Sequence, residues 1–267
     1  MKEKFQSVFA EENILLCEAL PFSLCRVIAE TKLDRLSFVP KTAIVFLIPY
    51  YTEITGERNL SRYAVARDYH LYVRQLEKRL LPKLSKLDNG RHFAMFADNS
   101  PIDERHAAAL AGLGVLGDNG LILTELYGPY VFIGEILTDL SPDEMGIKDS
   151  YAVKTCHHCG ACSAACPKKE LCLSALTQKK GELSQSEQGE IISLGSVWGC
   201  DICQDVCPYA KGATQTPIAF FQNDLLPYLT LDVLDAMTED MFKARAYSWR
   251  GRNTVRRNIL LMKPKSD

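Results

Sequence analysis

Cys156-His157-His158-Cys159-Gly160-Ala161-Cys162-Ser163-Ala164-Ala165-Cys166-Pro167 reads C-x2-C-x2-C-x3-C-P. A shorter run follows, Cys200-x2-Cys203-x3-Cys207-Pro208, with Val197 where a first cysteine would stand. Cys172, between the runs, supplies the missing thiolate. This is the spacing of bacterial two-cluster iron–sulfur modules, in which the fourth cysteine of a run ligates the other cluster. The rule assigns Cys156, Cys159, Cys162 and Cys207 to one 4Fe–4S cluster. It assigns Cys166, Cys172, Cys200 and Cys203 to the other. Pro167 and Pro208 turn the chain away after each last ligand, since proline fixes φ and lacks an N–H. Such clusters move single electrons, so the spacing points to redox chemistry.

A pair of four-thiolate zinc sites would also consume all eight residues. Zinc ribbons, however, use separated C-x2-C pairs rather than a triple run ending in Cys-Pro. Disulfides fit poorly with a start, Met1-Lys2-Glu3-Lys4, that has no apolar signal segment. These features predict a cytoplasmic protein whose thiolates stay available for metal. His157 and His158 read as solvent-facing spacers. Cys17 and Cys25 stand alone among apolar neighbours and read as small buried hydrophobes.

The 267 residues suffice for a sizeable core plus a smaller unit, with ordinary apolar (47%) and charged (24%) content. No apolar run is long enough to span a bilayer, so no membrane role is expected. Net charge is −2, which by itself points to no polyanionic partner. Its distribution is less even. Lys243, Arg245, Arg250, Arg252, Arg256, Arg257, Lys263 and Lys265 run without an intervening acid, and Tyr247 and Trp249 are interleaved. Arg250, Arg252, Arg256 and Arg257 are therefore candidate nucleic-acid contacts. A solvated amphipathic helix explains the same pattern.

Along the chain, Leu15, Leu16, Ala19 and Leu20 suggest a helical stripe. Thr42–Ile48 reads as a buried strand. Ser61 to about Leu81 reads as one helix stopped by Pro82. His92–Ala97 reads as a strand, followed by a helix capped at Ser100 with Pro101 in its first turn and Asp103 as the capping-box acid. Leu121–Thr124 and Tyr130–Leu137 suggest a hairpin about Tyr127-Gly128-Pro129. Lys179–Glu190 reads as an exposed loop. Leu231–Ala236 and Thr254–Met262 read as helices. Gly112-Leu113-Gly114-Val115-Leu116-Gly117 fits G-x-G-x-x-G, but it follows a helix and precedes strands, so it reads as a helix end and turn rather than a dinucleotide site.

Four segments resemble the epoxyqueuosine reductases, cobalamin- and iron–sulfur-dependent enzymes of tRNA queuosine modification. Ser61-Arg62-Tyr63-Ala64-Val65-Ala66-Arg67-Asp68-Tyr69-His70 is similar to the family's RYA-x-GRDYH. Asp98-Asn99-Ser100-Pro101-Ile102-Asp103-Glu104-Arg105 is similar to D-S/T-x-P-x-x-ER. Ala111–Gly117 is similar to AGLGWxGK, and Gly134-Glu135-Ile136-Leu137 follows it. The cysteine segment includes Cys172-Leu173-Ser174-Ala175-Leu176-Thr177 and Gly199-Cys200-Asp201-Ile202-Cys203-Gln204, similar to CISYLT and GCDxCQ. Arg256-Arg257-Asn258 resembles a family RN pair. Asp118 stands where the family has Lys, and the gap from Cys166 to Cys172 is short.

The resemblance implies an α+β or α/β cobalamin-binding domain over residues 1–150. A ferredoxin-like two-cluster domain over 151–212 and a short helical segment with a basic face over 213–267 would follow. It implies that cobalamin, fed by the clusters, removes the epoxide oxygen of epoxyqueuosine in tRNA. An external one-electron donor such as a flavodoxin or ferredoxin would supply the clusters. Asp98 matches the family's proposed general acid; read without the resemblance it only supports the cap at Ser100. Arg62, Tyr63, Asp68 and Tyr69 become candidate cofactor-pocket residues, against a plainer reading as helix-start packing and ion pairs. Two other readings compete. One is a cobalamin-dependent reductase of a small molecule, like the reductive dehalogenases. The other is a cobalamin-free electron-transfer protein.

Overall fold

The fold is seen in a computed structural model that describes residues 2–88, 90–147, 150–167 and 171–262. Lys263 and Lys265 of the basic stretch lie outside the described residues.

The first part runs α1 (Lys2–Glu11), β1 (Leu16–Pro21), α2 (Glu30–Leu33), β2 (Thr42–Pro49), α3 (Arg62–Val65) and α4 (Tyr69–Leu87). It continues with β3 (Phe93–Phe96), α5 (Glu104–Leu110), β4 (Val115–Leu116), β5 (Ile122–Leu123), β6 (Val131–Thr138) and α6 (Pro142–Met145). Four strands form one antiparallel sheet in the order β1-β2-β6-β3. Every residue of β2 is buried, which explains its unbroken apolar run: helices cover both faces. Phe5 and Phe9 of α1 and Leu76, Leu80 and Leu84 of α4 meet Ile44, Phe46 and Ile48 on one face. Ala107, Ala108 and Ala109 of α5 meet Ala43, Val45 and Leu47 on the other. The domain is thus the α+β form of the expectation, with no parallel pair in its main sheet.

Several local expectations are corrected. Leu16–Leu20 belongs to the edge strand β1, where Cys17 and Ala19 face inward at period two. The helix expected from Ser61 to Leu81 is two helices. Ala66 is extended, and Asp68 caps α4 by accepting the His70 N–H at 2.9 Å. Pro82 does not stop α4. It lies on the exposed side, while the buried stripe Tyr72-Leu76-Leu80-Leu84 continues past it. Burial of that stripe outweighs a proline cost of about 3 kcal/mol. Asp103, not Ser100, caps α5, accepting the His106 N–H at 3.1 Å. The expected hairpin does not form. β5 pairs with β4, and β6 inserts between β2 and β3, where an apolar strand gains partners on both sides. Gly112 ends α5 at φ +77°, with Leu113 N–H reaching Ala108 O (3.1 Å) and Gly112 N–H reaching Ala109 O (3.1 Å). This is a Schellman cap, as the helix-end reading required.

The second part contains α7 (Ala161–Ala165), α8 (Leu173–Thr177), α9 (Gln185–Leu194) and α10 (Ile202–Asp205). α11 (Leu231–Ala236), α12 (Glu239–Lys243) and α13 (Arg252–Met262) follow. The presumed loop at 179–190 contains the start of α9, held by a capping box between Ser184 and Glu187. Trp198, Tyr247, Val255 and Ile259 share a core with Leu60, Ala64 and Val65, so the C-terminal helices pack where α3 meets the cysteine segment.

Candidate functional site

None of the ten cysteines forms a disulfide. Cys156, Cys159, Cys162 and Cys207 converge on one cavity, joined by Asp118, Asn119 and His157. Burial raises the Cys207 thiol, and Cys159, Cys162 and Cys156 add to the rise. Burial likewise pushes Cys203 up to about 11, reinforced by Cys200, Cys172, Cys166 and, last, Cys162. The chain therefore gathers the two sets that the crossover rule assigns, side by side. Four soft sulfur donors at each centre fit a cluster's iron. Of the remaining thiols, burial raises that of Cys17 strongly and pushes Cys25 up to about 12, as expected of packing residues. His157 and His158 are exposed. His158 pairs through Nδ1 with Asp118 Oδ1 at 2.8 Å, so the acid at the family's Lys position has a local partner.

Asp201, between two ligands, anchors the cluster segment to the sheet domain. Its buried carboxylate accepts from Ser61 Oγ, the Arg58 guanidinium and the Arg62 backbone N–H (2.9 Å). Asp205 accepts from Tyr130 Oη (3.1 Å) and pairs with Arg62 Nε (3.3 Å). Gly199, at φ +76°, approaches Ser61 and Tyr63 so closely that a Cβ would collide with both. Asp201→Ala leaves the buried Ser61 hydroxyl and the Arg62 N–H without their acceptor, while Arg58 keeps Asp205 and Leu60 O. We expect a loss of ~1–3 kcal/mol of stability, measured by denaturant unfolding of the cluster-loaded protein. An unchanged midpoint would show the network to be idle.

A cavity of about 680 Å³ opens above this seam, lined by Tyr63, Asp68, Tyr69, His70, Arg74, Asp98, Phe132, Gln178, Ala246 and Trp249. Four candidates from the sequence thus come together: Tyr63, Asp68, Tyr69 and Asp98. Arg62 does not join them; its guanidinium faces Asp205 and lies over Tyr51 (5.3 Å) and Tyr130 (5.5 Å). Tyr69 stacks on Phe132 with ring centres 4.1 Å apart. Asp98 sits on a left-handed turn at φ +65°, and its side chain is 71% exposed. His70 Nε2 lies 3.8 Å from Asp98 Oδ2, and His70 Nδ1 bonds Asp68 Oδ1 at 2.8 Å. The Asp68 bond raises the His70 pKa, and burial opposes it. Sequence reasoning missed His70, although it closes the RDYH segment.

The basic stretch is largely engaged internally. Arg252 donates to Leu234 O (2.8 Å), Met237 O (2.9 Å) and Thr238 O (3.0 Å). Arg257 donates to Lys179 O (2.9 Å) and Gly181 O (2.6 Å), and Arg256 pairs with Asp235. Arg250 lies 3.8 Å over the exposed ring of Trp249, at the cavity rim. Asn258 is fully buried and donates to Thr177 O (2.7 Å) and Val197 O (2.9 Å).

Residues 155–211 match the family model of a 4Fe–4S dicluster domain, and residues 31–99 match that of Epoxyqueuosine reductase QueG, DUF1730. An epoxyqueuosine reductase of Cellulophaga algicola is 31% identical over 222 residues, covering 76% of this chain and 69% of that protein. The chain belongs to the epoxyqueuosine reductase family. Its homologue in Lactococcus garvieae is 32% identical over 219 residues, covering 76% of this chain and 60% of the relative. The chain spans between 45% and 77% of the length of curated relatives such as these, and 60% of the Lactococcus garvieae protein. The epoxyqueuosine reductase structure from Streptococcus thermophilus superposes with a TM-score of 0.79 at 24% identity, covering 98% of this chain and 80% of that one. A structure of epoxyqueuosine reductase with an epoxyqueuosine-modified tRNA-Tyr stem loop gives 0.77 at 23%. The fold is shared, and the cysteine segment is that of a 4Fe–4S dicluster domain rather than a zinc ribbon.

Enzymes of this family also use cobalamin. The large cavity fits a corrin: Tyr63, Tyr69, Phe132 and Trp249 offer broad apolar rings, and Arg74, His70 and Gln178 offer polar contacts to its amide rim. No described helix is long and apolar enough to cross a membrane.

Proposed function

We propose that the chain is an iron–sulfur oxidoreductase that removes the epoxide oxygen of epoxyqueuosine in tRNA. The observation that carries this reading is the 680 Å³ cavity, which brings Asp98 and the Asp68–His70 pair beside an aromatic wall at the seam with the cluster segment. Cobalamin bound there supplies a strongly reducing metal centre. Tyr63, Tyr69 and Trp249 hold and shield it. Loss of the oxygen as water takes two electrons, from the clusters, and two protons. Asp98 Oδ2 gives the first proton, and a second follows through Asp98 once His70 has returned one to it. Asp68 makes this return effective by holding His70 in its charged form over more of the neutral range. The exposed position of Asp98 lets it reach substrate without rearranging the core.

The tRNA would approach over Trp249 and Arg250, since the other three arginines are largely engaged by their own chain. An external one-electron donor, of the flavodoxin or ferredoxin kind, would reload the clusters in the cytoplasm. The family relationship favours this reading over a small-molecule reductase or a cobalamin-free electron carrier.

The test is anaerobic. Cluster-loaded protein, cobalamin, a chemical reductant and an epoxyqueuosine-bearing anticodon stem loop are incubated, and the nucleoside is weighed by mass spectrometry. Loss of one oxygen is the expected result. An unchanged nucleoside mass with clusters and cobalamin both bound would refute the proposal.

A further inference from the structure

Glu135 lies in the middle of β6, hydrogen-bonded between β2 and β3, opposite Val45 and Phe96. It is 0% exposed, and neither of its carboxyl oxygens has a hydrogen bond of normal geometry among the described residues. It shares its side of the sheet with Ile133 and Leu137, which face the alanines of α5. The Ser100 hydroxyl is near: its oxygen accepts the Ile102 N–H at 3.1 Å, which leaves its own hydrogen to favour the ionised form of Glu135, against burial and Glu104. What faces Glu135 is a second carboxyl, that of Glu104 in the first turn of α5. Glu104 in turn holds the backbone of the proposed acid: Asp98 N–H donates to Glu104 Oε1 at 2.6 Å.

Two carboxyls facing each other away from water do not both ionise. We propose that Glu104 and Glu135 share one proton and that the pair is a positioning device for Asp98. Glu135 keeps the proton and donates it to Glu104, and the Glu104 carboxylate grips the Asp98 N–H. The grip fixes the left-handed turn at Asp98, a conformation disfavoured outside glycine. Burial pushes Glu104 up to about 7 and Glu135 well above the usual carboxylate range, with each carboxyl acting on the other. Asp98 and Asp103 oppose ionisation of Glu104, and Lys32 favours that of Glu135. Cys25 and Tyr69 complete the titratable groups facing the pair. This inference rests on the reading of Asp98 given above.

The pair predicts a sign for stability. The unfolded chain releases the Glu104 proton at the ordinary carboxylate pH, and the folded chain only near pH 7. Wild-type stability therefore falls, relative to Glu104→Gln, as pH rises from about 4.5 to about 7.

Difference infrared spectroscopy of the cluster-loaded protein at about pH 8 reads the proton directly, because ordinary carboxyls are ionised there. We expect a protonated-carboxyl band in the wild type that Glu135→Gln abolishes. Glu104→Ala should lower turnover about 10- to 100-fold with KM little changed, and Glu104→Gln, which keeps an acceptor for Asp98 N–H, should restore most of it. A wild type without the band, or a Glu135→Gln protein that retains it, overturns the pair even if the chain has no activity on epoxyqueuosine. A normal band with Glu104→Ala turnover unchanged overturns the positioning role. Absence of wild-type turnover with the band present faults the functional reading alone.

Discussion

Serine at Cys172 is expected to remove one four-iron cluster and leave the other. Cys172 stands at the N-cap of α8, outside either Cys-Pro run, and lies with Cys166, Cys200 and Cys203. A hydroxyl is a poor substitute for thiolate, so the centre formed by these four should lose its metal. Iron and sulfide content should fall by about half. Cys156→Ser should cause the complementary loss, with a different paramagnetic signal surviving in each variant. Reduction of epoxyqueuosine should fall more than about 100-fold in either, since even outer-shell partners of a metal are worth 10–100-fold. Full iron content in Cys172→Ser would show that Cys172 is not a ligand and that the two sets are drawn wrongly.

Asparagine at Asp98 is expected to cut turnover about 10²- to 10⁴-fold while leaving iron content and cobalamin binding intact. Asparagine tolerates a left-handed φ better than most side chains, so the +65° turn should survive the exchange. Only the transferable proton is removed. Single-turnover kinetics with pre-reduced protein isolates this step from electron delivery. Turnover equal to the wild type would mean that the proton reaches the substrate by another route and that Asp98 serves the turn alone.

How much of this was legible in the sequence depended on how local the cause was. The cluster ligands could be grouped from spacing because the turns between them are short and fixed by proline. β2 was legible because a strand buried on both sides must be apolar throughout. The capping box at Ser184 and Glu187 was equally local and was overlooked in favour of composition. The remainder depended on residues far apart in the chain. Pro82 reads as a helix stop until Leu84 is seen to continue the buried stripe. The four arginines read as a free basic face until carbonyls from Lys179, Leu234 and Met237 arrive to bind two of them. Glu135 was visible as a letter in a family motif. Its meaning came from a sheet that placed it facing Glu104, with no basic group hydrogen-bonded to it among the described residues.

The buried Asn258 has a consequence for the order of biosynthesis. Its amide joins Thr177 and Val197, which lie on opposite sides of α9 within the cysteine segment, yet it resides on α13. A nascent chain that has already made all eight cysteines of the two sets still lacks this clasp. Until α13 has been made, the segment is held to the sheet domain by the Asp201 network but not closed across α9, so truncation before α13 should weaken retention of the clusters.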